Sequence, residues 1–193
     1  SSLEYGHIKS PHYERFKTVK ISSLKSVYTK SKLLATKHCL KTFHKNSFPV
    51  TIVRPYLVYG PGQKNNRLIP FIISESLKNK HFPCSTGEQV RNFLFIDDFI
   101  RAIFKILSSK KIDGEIINIG SNENFRIKRI ILMITNYINL GKPMFGKIKL
   151  RKDESLTYYP NIKKAKRLIK WRPLIKFEKG LTQTIKYYLK NND

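Results

Sequence analysis

The chain has 193 residues, 40% hydrophobic and 26% charged, enough for one good core and a small second lobe. No apolar run reaches the length of a membrane span, and Cys39 and Cys84 are too few and too far apart for a disulfide framework or a metal knuckle, so a reduced, cytoplasmic protein is expected. The net charge of +25 raises nucleic-acid binding as a rival class, but the 28 Lys and 10 Arg are scattered; the densest run, Lys163 to Arg167, fits one solvated helix face.

Ser23 to Asn46 reads as a long helix. Val50 to Val53, leading to Leu57 and Val58, is a β-branched run bounded by Pro and Gly, hence a buried strand. Leu68 to Asn79 reads as a helix and His81 to Glu88 as a loop. Phe93 to Ile96 is a short strand, after which Asp97 and Asp98 cap a helix running to Leu107. Glu115 to Ile119 is a strand, Ile127 to Tyr137 a helix, Lys147 to Leu150 a strand, Asn161 to Ile169 a helix, and Phe177 to Lys190 a final helix. Trp171-Arg172-Pro173 is a corner between the last two. Strands alternating with helices predict an α/β fold with a mostly parallel sheet.

Tyr28 and Lys32 are four residues apart on the first helix, so phenol and ammonium share a face. A cation beside a phenol favours phenolate, which makes a tyrosine a usable proton donor and acceptor for chemistry at an alcohol or ketone. The guanidinium of Arg91 suits bidentate phosphate recognition. The five His show no ligand spacing, and two adjacent Asp without His or Cys argue a helix cap rather than a metal site.

Ser1-Ser2-Leu3-Glu4-Tyr5-Gly6, Tyr28 with Lys32, Arg54 to Gln63, Arg91 to Asp98, Asn118 to Ser121 and Trp171 to Pro173, in that order, resemble the extended short-chain dehydrogenase/reductase family of NAD-dependent sugar-nucleotide epimerases and dehydratases. The resemblance runs nearly end to end. It implies an incomplete Rossmann-like parallel sheet with a smaller α/β substrate-binding lobe. Residues 1–59 would be the C-terminal part of the NAD-binding domain, 60–95 a lobe segment, 96–119 a return to the sheet, and 120–193 the rest of the lobe.

The resemblance also implies roles. Tyr28 would be the acid/base, Lys32 would hold the nicotinamide ribose and lower the phenol pKa, and Ser1 would hydrogen-bond the reacting sugar oxygen. Tyr56 would contact the cofactor. Arg91 and Arg151 would bind the substrate's phosphates and ribose, with Arg67 beside them. The expected cofactor is NAD or NADP and the partner a nucleotide sugar, with no membrane or nucleic acid and room for a homodimer in the full-length enzyme.

Three departures qualify the resemblance. No G-x-x-G-x-x-G or G-x-G-x-x-G occurs, so the sequence is expected to be the C-terminal portion of a longer enzyme and inactive alone. Leu57 stands where many relatives carry a substrate-binding Asn. Family dehydratases place Asp-Glu or Ser-Glu directly after the Ser/Thr, where this chain has Ser2 and Leu3. With Glu4 one place late and turned away in an extended backbone, the expected reaction is epimerisation or reduction, with 4,6-dehydration the alternative.

Overall fold

The computed structural model describes residues 1–15, 19–24, 26–150 and 154–191. After a 3-10 turn at Ser2–Tyr5 come helix α1 (Val27–Asn46), strands β1 (Ile52–Pro55) and β2 (Leu57–Tyr59), and helix α2 (Leu68–Leu77). Strands β3 (His81–Pro83) and β4 (Val90–Phe95) lead to helix α3 (Ile96–Leu107) and strand β5 (Ile116–Ile119). The remainder is β6 (Asn124–Arg126), α4 (Ile127–Ile138), β7 (Lys142–Met144), β8 (Thr157–Tyr158), α5 (Lys163–Ile169) and α6 (Phe177–Lys190).

The run from Val50 to Val58, expected as one strand, divides at Tyr56. Pro55 has no N–H to continue a ladder, and the two halves take different partners: β1 pairs in parallel with β5, β2 in parallel with β4. Strand β4 is the hub. Its first half pairs antiparallel with β6 and parallel with β8, and its second half pairs with β2. The buried amide of Asn92 pins it further, donating to the carbonyls of Ser121 and Glu123 and accepting from the Ser121 N–H at 2.8 Å.

Two cores result. One joins Leu94, Ala102, Ile106, Ile117 and Ile119 to Ala165, Ile169 and Trp171, so α5 and the Trp171 corner pack with the β1–β5 pair. The larger joins Ile69, Ile73, Phe82, Phe93 and Phe95 to faces of α4 and α6. Helix α6 approaches that core closely at Gly180, where a Cβ would lie 2.6 Å from the Tyr59 hydroxyl and 2.7 Å from the Phe95 ring.

Several elements correct the sequence expectations. Helix α1 starts at Val27, because Ile21–Ser23 close a separate 3-10 turn and Leu24 is extended. His81 to Glu88 is not all loop: β3 pairs in parallel with β7, far away in sequence. Lys147 to Leu150 forms no strand; Ile148 N–H donates to the Cys84 carbonyl at 3.0 Å. Asp98 does not cap its own helix. Its buried carboxylate accepts the N–H groups of Leu174 and Ile175 at 3.0 and 2.9 Å and pairs with Arg101, tying α3 to the segment before α6.

Candidate active site

The parallel register of β4 with β8 sets Arg91 beside Tyr158. Both side chains line an open cleft of about 550 Å³, whose other walls come from Leu3, Gly6 and His7 of the first turn and Ser26 and Thr29 around the start of α1. Arg91 Nη2 donates to Glu154 Oε1 at 2.7 Å, so the guanidinium already carries an anionic partner at the cleft wall. The Tyr158 hydroxyl donates to the carbonyl of Ser2, joining β8 to the first turn. Burial raises the Tyr158 pKa, so this phenol is a donor and not a base at neutral pH.

Tyr28 and Lys32 stand on one face of α1, with the Lys32 ammonium 5.5 Å from the centre of the Tyr28 ring. Tyr28 is 54% exposed and flanks the cleft through its neighbours Ser26 and Thr29 rather than lining it. Lys32 has no ion-pair partner among the described residues. Ser1 opens the first turn, its backbone nitrogen 2.6 Å from Glu4 Oε1. Its hydroxyl caps the first turn, accepting from the Leu3 N–H at 3.4 Å.

Arg67 and Tyr56 lie elsewhere. Together with Leu57, they line a second cavity of about 310 Å³. Arg67 is exposed at the start of α2. Tyr56 is buried at the end of β1, and its hydroxyl is 2.7 Å from Nδ1 of His12. Arg151 falls outside the described residues.

Behind the cleft is a buried polar network that the motifs alone do not reveal. The register of β1 with β5 sets Arg54 beside Asn118. Arg54 Nη2 donates to Glu4 Oε2 at 2.9 Å, both side chains being fully buried, and the guanidinium carbon lies 4.6 Å from the centre of the Tyr5 ring. The Tyr5 hydroxyl donates to Asn118 Oδ1 at 2.9 Å, and the Asn118 N–H reaches Glu14. His12 stacks on Tyr5, and its Nε2 lies 2.8 Å from the Ile8 carbonyl. That nitrogen must carry the proton, leaving Nδ1 to accept from Tyr56. Burial, with Arg54 adding to it, holds the His12 pKa below its usual value, against the pull of the Ile8 carbonyl. Glu4, Tyr5, Arg54, Tyr56 and Asn118 fall inside the motifs, whereas His12 and Glu14 carry no sequence signal for this network.

Residues 1–120 match the family model described as NAD dependent epimerase/dehydratase family. The chain belongs to that family. It is 32% identical over 180 residues to a dTDP-glucose 4,6-dehydratase of Haemophilus influenzae, covering 86% of this chain and 53% of the relative. Among solved structures it resembles dTDP-glucose 4,6-dehydratase from Bacillus anthracis in complex with NAD, with a TM-score of 0.87 and 26% identity over all of this chain and 60% of that one. It also resembles UDP-glucuronic acid 4-epimerase from Bacillus cereus in complex with UDP-glucuronic acid and NAD, with a TM-score of 0.86 and 29% identity over 99% of this chain and 60% of that one. The fold is therefore the α/β, Rossmann-type fold of these enzymes, and the chain spans about half the length of the curated relatives it matches. Among the described residues no helix is long and apolar enough to cross a membrane, and no cluster of His, Cys, Asp or Glu could hold a metal ion.

Proposed function

We propose that this chain supplies the acid/base and the substrate cleft of an NAD-dependent enzyme that epimerises or reduces a nucleotide-activated sugar. The observation that carries the proposal is the exposed Tyr28–Lys32 pair beside a cleft whose wall bears Arg91. The residues present fit one end of NAD: an exposed phenol and an ammonium without a carboxylate partner can hold the nicotinamide ribose, whereas no Gly-rich turn for the pyrophosphate occurs in the sequence. When bound, NAD supplies the hydride acceptor for a sugar carbon. Tyr28 takes the proton of the sugar hydroxyl at its phenolic oxygen and returns it, with Lys32 holding the nicotinamide ribose beside it. Ser1 hydrogen-bonds the reacting oxygen. Arg91 grips the diphosphate, with Arg151 assigned to the phosphate and ribose beside it and Arg67 and Tyr56 to the separate cavity they line.

The relatives include both 4,6-dehydratases and epimerases, so both reactions fit the family. A specific observation favours the epimerase or reductase. Leu3 faces the cleft where a dehydratase needs a carboxylate, and Glu4 is buried against Arg54. The turn is a 3-10 helix rather than extended, so the expected geometry was wrong although Glu4 does point away from the cleft.

We assign residues 1–59 and 96–119 to the NAD-binding part and 60–95 and 120–193 to the substrate lobe. The two cores follow this division only broadly: Leu94, α5 and Trp171 pack with the first part, and Tyr59 and β2 with the lobe. A homodimer of the full-length enzyme, a cytoplasmic location and the absence of a nucleic-acid partner complete the proposal. The test is to join the chain to a Gly-rich dinucleotide-binding half, incubate it with NAD and a panel of sugar nucleotides, and identify products by NMR. An epimer at unchanged oxidation level, or a reduced sugar with NADH, is expected. A 4-keto-6-deoxy product would assign the dehydratase instead, and no conversion of any sugar nucleotide would contradict both.

A further inference from the structure

We propose that the Glu4–Arg54 ion pair is a positioning pair: it fixes the first turn so that Ser1 and the cleft wall at Leu3, Gly6 and His7 face Arg91 and Tyr158. The inference rests on reading the cleft as the sugar-nucleotide site. Neither residue touches the cleft; both act through the turn.

Stability alone does not account for the pair. Both side chains are fully buried, and a buried ion pair often adds nothing over well-packed apolar residues of similar volume. Arg54 is also incompletely satisfied, because its Nε and Nη1 have no acceptor among the described residues. What the pair does provide is direction, and its contacts converge on one segment. Glu4 Oε1 accepts from the backbone nitrogen of Ser1 at 2.6 Å, completing a capping box with the Ser1 hydroxyl. Arg54 lies over Tyr5, whose hydroxyl is tied to Asn118. The Ser2 carbonyl is held from the opposite side by Tyr158. Ser1, Ser2, Glu4 and Tyr5 are thus anchored, while Leu3 and Gly6 are left to form the wall. An apolar residue at position 4 would fill the space without orienting the turn.

The test uses the 193-residue chain and the double variant Glu4→Leu/Arg54→Met, which removes both charges and so leaves no orphaned ion. Its melting temperature should stay near that of the wild type, while amide exchange across residues 3–8 should rise at least about tenfold with α4 and α6 unchanged. Its affinity for dTDP-glucose or UDP-glucose should fall about tenfold or more. A folded double variant with wild-type exchange at residues 3–8 would overturn the proposal. If that variant does not fold, the single variants decide. Arg54→Lys keeps a cation opposite the intact Glu4 and should keep exchange in the turn near wild type, whereas Glu4→Asp is too short to reach both Ser1 and Arg54 and should not. Equal exchange in the two would overturn the proposal. A wild-type chain that binds neither sugar nucleotide would count against the proposed function, and the exchange measurement would still decide the positioning role.

Discussion

Arg91 and Glu154 form an ion pair at 2.7 Å on the wall of the cleft, joining β4 to the start of the segment that carries β8. A phosphate entering the cleft meets a guanidinium that is already oriented, but one that must share or exchange its carboxylate. Arg91→Ala should therefore weaken sugar-nucleotide binding by about 1.5–3 kcal/mol, the size of a charge-assisted contact, and leave NAD affinity nearly unchanged. Calorimetry with both ligands on the enzyme joined to a dinucleotide-binding half checks this. Unchanged sugar-nucleotide affinity would remove Arg91 from the diphosphate site.

In that same enzyme Tyr28→Phe should lower turnover by several orders of magnitude with substrate affinity nearly intact, since it removes a proton carrier and little binding. Lys32→Ala should reduce both rate and cofactor affinity, because its ammonium serves both. Steady-state kinetics separates the two, and a Tyr28→Phe enzyme with most of the wild-type rate would end the acid/base assignment.

His12 gives the chain a pH dependence of predictable sign. Its folded pKa is depressed, chiefly by burial, so between the folded value and about 6.5 the unfolded chain binds more protons. The stability it contributes is complete above about pH 6.5 and is lost as pH falls toward and through the folded value. The other four His are exposed, which isolates the effect. Urea titrations at several pH values should show His12→Asn with a flatter profile than wild type just below about pH 6.5. Parallel profiles would assign the acid sensitivity elsewhere.

Asp98 is a structural clamp outside the site. Asp98→Ala strands the N–H groups of Leu174 and Ile175 and frees Arg101, so it should cost about 1.5–3 kcal/mol in urea denaturation. A loss below about 0.5 kcal/mol, typical of a surface change, would refute the clamp.

The sequence made the long elements legible. Ile127, Ile130, Ile131 and Ile134 mark the buried face of α4 by their spacing, and the final helix was placed at its observed bounds, Phe177–Lys190. The short strands were not legible. β3, β6, β7 and β8 have two or three residues each, and distant partners, not local propensity, decide whether such segments pair. Asp98 was misread for a related reason: a carboxylate in a first helical turn usually serves its own helix, and only the tertiary packing brings Leu174 and Ile175 to it. The candidate site was legible where motifs carried it, in Tyr28, Lys32 and Arg91. The Glu4–Arg54 pair was hidden because a one-residue offset was interpreted on an extended strand, and the chain turns there instead.

The cleft between Arg91, Tyr158 and the first turn is the proposed sugar-nucleotide site. The most direct measurement is calorimetric titration of the 193-residue chain and its Arg91→Ala variant with dTDP-glucose, UDP-glucose and glucose 1-phosphate. At least one of the two sugar nucleotides should bind the wild type and bind the variant about tenfold or more weakly, with glucose 1-phosphate binding poorly to both. No sugar-nucleotide binding by the wild type, or binding that Arg91→Ala leaves untouched, would contradict it.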